Sequence, residues 1–231
     1  MKNVTPIKSI VLTFTLILFS VTVSYAALSG TYTIDASAAA SATNYKSFTS
    51  SVSDLLYGTR TDGGQVNGPG VSGPVIFQIA AGTYNEQVVL NNVAGVSAVN
   101  TITFDGGAGN AATRIVQFNG SINPVNYAVF TLYSTSYIRI RNITINQTAK
   151  SNGWGILLFS TQGGTPFSHD NSIENCIVNM SEGSTTNINL YGIIAGGSQT
   201  LASTTSGRFT NILIDGCKVN NGYYGISMYT F

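Results

Sequence analysis

The chain has 231 residues, of which 8 % are charged and 43 % are hydrophobic, and its formal net charge is +1. Globular proteins usually have about a quarter of their residues charged. The low charge, together with 12 Tyr and 11 Phe, excludes a disordered polar chain. The near-zero net charge argues against nucleic-acid binding and against capture by an anionic membrane, because both require a basic patch.

The N-terminus has the pattern of a secretory signal peptide. Lys2 and Lys8 accompany an apolar run at residues 10–19, and Ser-Tyr-Ala at 24–26 places small residues where signal peptidase reads the chain. The apolar run is too short to span a bilayer comfortably. We therefore expect cleavage after Ala26 and a secreted or cell-surface protein without a membrane span in its mature part.

Residues 27–74 are predicted to form an N-terminal cap that contains a strand, a short helix and a Gly-rich loop. Apolar residues recur at helical spacing at Phe48, Val52, Leu55 and Leu56. Asn44 or Ser47 can cap the start of this amphipathic helix, and Gly58 can end it. The segment 59–74 is rich in Gly and polar residues and is predicted to be a loop.

Residues 75–231 contain repeated strand-like segments. Three gapless repeats have equivalent positions at Ile143, Cys176 and Cys217, which are 33 and 41 residues apart. The regular strands and irregular spacing indicate fixed rungs joined by loops of variable length. We predict an all-β, right-handed parallel β-helix, in which equivalent residues form vertical ladders. The last repeat opens at Tyr224 and the chain ends inside it, so we expect truncation at the C-terminus.

A second predicted ladder consists of amide side chains at Asn146, Asn179 and Asn220. We expect it at a bend, because Asn tolerates left-handed backbone angles and stacked amides hydrogen-bond to each other.

At these repeats the chain resembles the pectin-lyase-like superfamily of right-handed parallel β-helices. Gly-Thr-Tyr-Asn-Glu-Gln-Val at 82–88, followed by Thr-Ile-Thr-Phe-Asp-Gly at 101–106, is similar to the opening rungs of pectinesterases and of large bacterial secreted β-helix proteins. The resemblance covers roughly residue 27 to the end. It implies the fold but no activity.

The catalytic motifs of the superfamily are missing from the sequence. Pectinesterases carry Gln-Asp-Thr, Asp-Phe-Ile-Phe-Gly and Gly-Arg segments, but here Ser-Gln-Thr at 198–200 lacks the Asp, and Gly-Arg at 207–208 lacks a nearby Trp. The clustered aspartates and the Gly-His segment of polygalacturonases do not occur either. No catalytic residue and no metal site is therefore assigned.

Two columns of the predicted β-helix are candidate substrate-binding surfaces. Arg141, Glu174 and Asp215 align as a charge ladder, which is either an ordinary solvent-facing ladder or a surface for an acidic or hydroxylated sugar. An aromatic column is formed by Trp154, Tyr191 and Tyr224. These rings could stack on sugars or could equally be packed corner residues.

Two further pairs could carry chemistry. Cys176 and Cys217 should be vertical neighbours, either bridged by a disulfide, which export permits, or packed as small apolar residues. His169 and Asp170 could serve as a base and its orienter, but adjacent residues seldom face the same point and no nucleophile accompanies them.

The sequence supports two hypotheses. The first is a non-catalytic exported β-helix module for cell-surface attachment or glycan contact, with a polysaccharide as partner and no cofactor. The alternative is the N-terminal part of a carbohydrate-active enzyme, a polysaccharide lyase or a pectinesterase-like esterase, whose catalytic rungs lie beyond residue 231. Only a lyase would require Ca²⁺.

Overall fold

The computed structural model describes residues 27–163, 165–183, 186–200 and 206–230. The predicted signal peptide lies outside the described residues. In chain order the strands are β1 Leu28–Ile34, β2 Asn44–Tyr45, β3 Val71–Ile79, β4 Gly82–Asn85, β5 Val88–Leu90, β6 Ile102–Asp105, β7 Arg114–Phe118, β8 Ala128–Tyr133, β9 Ile138–Arg141, β10 Thr144–Gln147, β11 Gly153–Phe159, β12 Ser168–His169, β13 Ser172–Glu174, β14 Ile177–Gly183, β15 Leu190–Gly196, β16 Phe209–Thr210, β17 Leu213–Asp215, β18 Lys218–Gly222 and β19 Tyr224–Met228. Helix α1 spans Phe48–Tyr57.

The strands form three main parallel sheets. Sheet A has the order β17-β13-β9-β6-β3-β1-β2, sheet B the order β18-β14-β10-β7-β4, and sheet C the order β19-β15-β11-β8-β5. From β3 onward the chain visits sheets A, B and C in turn, and each new round pairs with the round before it. Strands β12 and β16 form a small parallel sheet of their own. The prediction of a mostly β protein is therefore confirmed.

The apolar ladder predicted from the repeats is present. In sheet A, Glu174 of β13 pairs with Arg141 of β9 and with Asp215 of β17, which places these three strands in register. Three residues further along each of these rounds, in sheet B, Ile177 pairs with Thr144 and with Lys218. The intervening residues Ile143, Cys176 and Cys217 are thus vertical neighbours, as predicted.

The amide ladder is also present, but its predicted location at a bend is wrong. Asn179 Nδ2 donates to Asn146 Oδ1 at 2.9 Å, and Asn220 Nδ2 donates to Asn179 Oδ1 at 2.7 Å. These residues lie within strands of sheet B. At the corner between sheets A and B, left-handed angles occur at other residues, namely Asn142, Asn175 and Gly216.

The prediction of a loop over residues 59–74 is wrong for its last four residues, because they belong to strand β3 of sheet A. Strand β3 starts at Val71, and Pro74 lies inside it. The pairing of β3 with β1 is irregular between the pairs Leu28–Val71 and Gly30–Val75. Proline has no backbone N–H to donate, so a strand accommodates it at such an irregularity.

Helix α1 packs one end of its apolar face into the first rounds. The Ser50 N–H donates to Ser47 Oγ at 3.0 Å at its start, and Gly58 ends it with a φ of 60°. The ring of Phe48 stacks at 5.8 Å on Phe104, which stacks at 5.1 Å on Phe77. One hydrophobic cluster continues from Leu28 to the last rounds.

Replacing Ile143 by Ala should lower the free energy of unfolding by roughly 2–5 kcal/mol, because Ile143 is fully buried and a cavity would remain. Urea denaturation followed by circular dichroism measures the change. Val125→Ala, at a position that is 71 % exposed, is the matched control and should change stability by less than about 0.5 kcal/mol. Equal effects of both substitutions would contradict the stacking of Ile143.

Candidate functional site

A groove of about 480 Å³ lies on the outer face of sheet A, at the end where the strands begin. Strand residues alternate between the two faces of a sheet. In β9, Ile138 and Ile140 are fully buried, so Arg139 between them points outward. The polar residues that line the groove are Thr101, Tyr137, Arg139, Asp170, Asn171, Ser172, Glu174 and Asn211.

The edge of the groove is made by a column of residues with left-handed backbone angles. Tyr137, Asp170 and Asn211 have φ values of 62°, 52° and 51°, and each lies two residues before its aligned strand partner in sheet A. Asp and Asn adopt this conformation readily, whereas a bulky residue such as Tyr does so rarely. Such strain in the backbone is most often found at functional sites.

His169 and Asp170 do face each other at this edge, so the expectation that they would not is wrong. His169 Nδ1 lies 2.6 Å from Asp170 Oδ2. The left-handed angle at Asp170 changes the usual relation between adjacent side chains. The imidazole ring also contacts Tyr137 at 5.1 Å and Phe167 at 5.0 Å between ring centroids. A base, an orienting carboxylate and an aromatic ring therefore meet beside the groove.

Asp170 is held by hydrogen bonds on both of its oxygens. Besides the contact with His169, its Oδ1 accepts a hydrogen bond from Asn211 Nδ2 at 3.0 Å. The hydrogen bond from His169, and then that from Asn211, lower the pKa of Asp170 below its ordinary value. Both hydrogen bonds therefore favour the ionised form of the carboxylate.

The predicted charge ladder exists, but its ion pair differs from the expected one. Arg141, Glu174 and Asp215 are in register, and Asp105 is the next residue of the same column. Arg141 forms its ion pair with Asp105, at 3.0 Å, and Glu174 instead accepts a hydrogen bond from Ser172 Oγ at 2.5 Å.

Asp105 is stabilised as an anion by its neighbours. Burial by itself would raise the pKa of Asp105, but hydrogen bonds from Asn142 Nδ2 at 2.7 Å and from the Gly107 N–H at 2.8 Å, with the charge of Arg141, lower it overall. Of the three predicted ladder residues, only Glu174 lines the groove.

The aromatic column is mostly packed, so its interpretation as a sugar-stacking surface is wrong for two of its three residues. Trp154 and Tyr191 are 1 % and 3 % exposed, and only Tyr224 reaches 36 %. Trp154 meets Tyr191 edge-on at 6.0 Å, and Tyr191 stacks on Tyr224 at 4.7 Å. Apolar neighbours such as Leu157 cover the rings on sheet C. A sugar could reach Tyr224 alone, and that ring lies on a different sheet from the groove.

The two cysteines are free thiols, and their bridging stays a prediction. Cys176 is buried and Cys217 is partly buried against the same core.

Sequence reasoning missed six polar residues of the groove: Thr101, Tyr137, Arg139, Asn171, Ser172 and Asn211. A usable signal was present. Once Arg141, Glu174 and Asp215 are aligned, Arg139, Ser172 and Leu213 fall on the same outer face two residues earlier. The corner residues before them could not be placed, because a loop of variable length precedes each one.

The described part of the chain contains neither a candidate metal cluster nor a membrane-spanning helix. No three His, Cys, Asp or Glu side chains there are grouped so that they could hold a metal ion. No helix in those residues has the length and apolar character needed to cross a membrane. The requirement for Ca²⁺ under the lyase hypothesis stays a prediction.

The pKa of Asp170 should rise towards 3.8 when Asn211 is replaced by Gly, since glycine keeps the left-handed backbone but removes the amide donor. Carboxyl ¹³C NMR titration measures it. Because the folded pKa is lowered, the stabilisation by Asp170 is present above its unfolded pKa and is lost as pH falls through the folded value. Asn221→Gly, which removes another left-handed Asn, should leave the pKa of Asp170 unchanged. A wild-type value at or above 3.8 would refute the hydrogen-bonded arrangement.

Comparison with known proteins returns no match. No protein-family model matches the chain, and no curated protein sequence or solved structure is significantly similar to it. The function is therefore inferred from the geometry of the chain's own residues.

Proposed function

We propose that this chain is an exported β-helix module that contacts a neutral, hydroxyl-rich glycan through the groove on sheet A. The observation that carries the proposal is the set of groove side chains: an aromatic ring at Tyr137, a guanidinium at Arg139, and carboxylates at Asp170 and Glu174. Orientation in ligand sites usually depends on a few polar groups of this kind.

The finer architecture is part of the proposal. The repeated passage through sheets A, B and C supports a parallel β-helix, and connections between parallel strands are almost always right-handed. Helix α1 contacts β5, β1 and β2, which supports a role as the N-terminal cap. A similarity to the pectin-lyase-like superfamily would explain both features.

The charge of the groove favours a neutral sugar over an acidic one. Arg139 is opposed by Asp170 and Glu174, so the lining side chains carry a net charge of −1. Within the described residues Arg139 forms no ion pair, which leaves its donors available to a ligand. Carboxylates accept hydrogen bonds from sugar hydroxyls, whereas they would repel the carboxylates of a polyuronate.

A second candidate function is catalysis. The pairing of His169 with Asp170 at 2.6 Å supplies an oriented base at the edge of the same groove, near Arg139 and Glu174. This arrangement supports the alternative of a carbohydrate-active enzyme. Binding is preferred because, among the described residues, the imidazole makes no hydrogen bond to a hydroxyl or thiol that could act as a nucleophile.

Export should produce a mature chain that begins at Ala27, because Ala26 and Ser24 match the small residues that signal peptidase requires. N-terminal sequencing of the protein recovered outside the cytoplasm measures the start. Ala26→Lys should block cleavage, and Ala36→Lys should not. A mature protein that retains residues 1–26 would contradict the proposal of a cleaved signal.

Affinity electrophoresis in gels that contain galactan, mannan, polygalacturonate or alginate tests the glycan proposal. We expect retardation by a neutral polysaccharide and none by the two polyuronates. Arg139→Gln should weaken binding by roughly tenfold or more, since a hydrogen bond from a charged group is lost. Lys218→Gln removes the same charge from the exposed face of sheet B and should have no effect.

The outcomes separate the candidate functions. No retardation by any neutral glycan, or equal effects of Arg139→Gln and Lys218→Gln, would refute binding in the groove. Release of unsaturated sugars or methanol from pectin, abolished by His169→Gln, would establish the catalytic alternative instead.

A further inference from the structure

A second groove lies on the outer face of sheet A, at the opposite end of its strands from the glycan groove. It has a volume of about 320 Å³, and its polar lining residues are Thr33, Asp35, Gln78, Asp105 and Arg114. Asp35 directly follows β1 and Arg114 opens β7, so the groove lies where the first rounds turn from sheet A into sheet B.

The second groove repeats the charge pattern of the glycan groove. In the glycan groove one arginine is opposed by two carboxylates. The second groove has the same composition, with Arg114 opposed by Asp35 and Asp105, so its lining side chains also carry a net charge of −1. A guanidinium donates hydrogen bonds and a carboxylate accepts them, which suits the hydroxyl groups of a neutral sugar in both places.

Arg114 and Asp35 retain hydrogen-bonding capacity for a ligand. Arg114 Nη1 donates to Thr113 Oγ1 at 2.5 Å, and its Nε donates to the Ile79 carbonyl oxygen at 3.4 Å, which holds the guanidinium at the groove wall. Among the described residues its Nη2 has no partner, and Arg114 forms no ion pair. Asp35 accepts the hydrogen bonds from Ser37 at Oδ1, and its Oδ2 has no partner among the same residues.

A column of outward side chains connects the two grooves. Glu174 lines the glycan groove and is in register with Arg141. Asp105 and Gln78 continue the same column into the second groove. The ion pair of 3.0 Å between Arg141 and Asp105 neutralises the middle of the column, while their side chains remain 34 % and 18 % exposed. A neutral ligand therefore meets accessible polar atoms along the whole path between the grooves.

The column also sets the length of a ligand that reaches both grooves. Glu174 and Gln78 lie on β13 and β3, which are separated by β9 and β6 in sheet A. Three strand spacings amount to about 14 Å, which is longer than a disaccharide. We infer that, given the proposed glycan function, the ligand is a polymer bound lengthwise along the stacking direction of the rounds, with more than two sugar rings in contact with the column and both grooves.

Isothermal titration calorimetry of the full chain with disaccharides and hexasaccharides of galactan and mannan tests this binding mode. The wild type should bind a hexasaccharide at least about tenfold more tightly than the matching disaccharide, because only the longer sugar gains the charged hydrogen bonds of the second groove. Arg114→Gln should remove most of this difference and leave disaccharide binding unchanged. Gln78→Ala, at an exposed strand position, should also weaken the hexasaccharide alone. Lys218→Gln is the control and should alter neither.

Amide NMR locates the sugars directly. A hexasaccharide should shift the N–H signals of both Gly107, in the second groove, and Ser172, in the glycan groove. A disaccharide should shift the signal of Ser172 alone.

Three results would overturn the lengthwise arrangement. The first is equal affinity of the wild type for the two lengths of sugar. The second is a loss of disaccharide binding in Arg114→Gln, and the third is hexasaccharide binding that neither Arg114→Gln nor Gln78→Ala weakens. In each case weaker binding by Arg139→Gln would preserve the glycan groove itself. Unchanged affinity of Arg139→Gln for both sugars would instead refute the proposed function, and the lengthwise arrangement with it.

Discussion

Parallel, in-register pairing between successive rounds is the constraint from which the other features of this structure follow. Each strand satisfies its backbone donors and acceptors on the preceding round, and this places residues some three dozen positions apart one above the other. A slip of one residue would turn every interior side chain outward. The burial of Ile140 and Ile173 therefore holds the register that aligns the outer columns as well.

The same register generates different chemistry on the two faces of the same rounds. Outward positions bring Arg139, Glu174 and the corner residue Asp170 to one groove. Inward positions place the thiols of Cys176 and Cys217 side by side. Since Glu174 is only two residues from Cys176, the proposed glycan groove and the buried thiol pair depend on the same two rounds.

The corners of the fold matter more for function than the strands do. Left-handed angles at Asp170 and Asn211 direct polar side chains to the groove edge and join them by hydrogen bonds. At the next corner, Asn142 donates to Asp105 and so supports the ion pair with Arg141. The strands supply a rigid frame, and residues at the corners decide which charges meet.

The sequence by itself determined the ladders, because strand periodicity and gapless repeats are local patterns that specify which residues are equivalent. It therefore predicted the neighbours Ile143, Cys176 and Cys217 and the stack of Asn146, Asn179 and Asn220. Only the tertiary structure decided that Trp154 is covered, that Arg141 pairs with Asp105 and that His169 meets Asp170. Those outcomes depend on backbone angles at corners and on the paths of loops of unequal length. Such features follow from packing between distant segments, and no local pattern of residues encodes them.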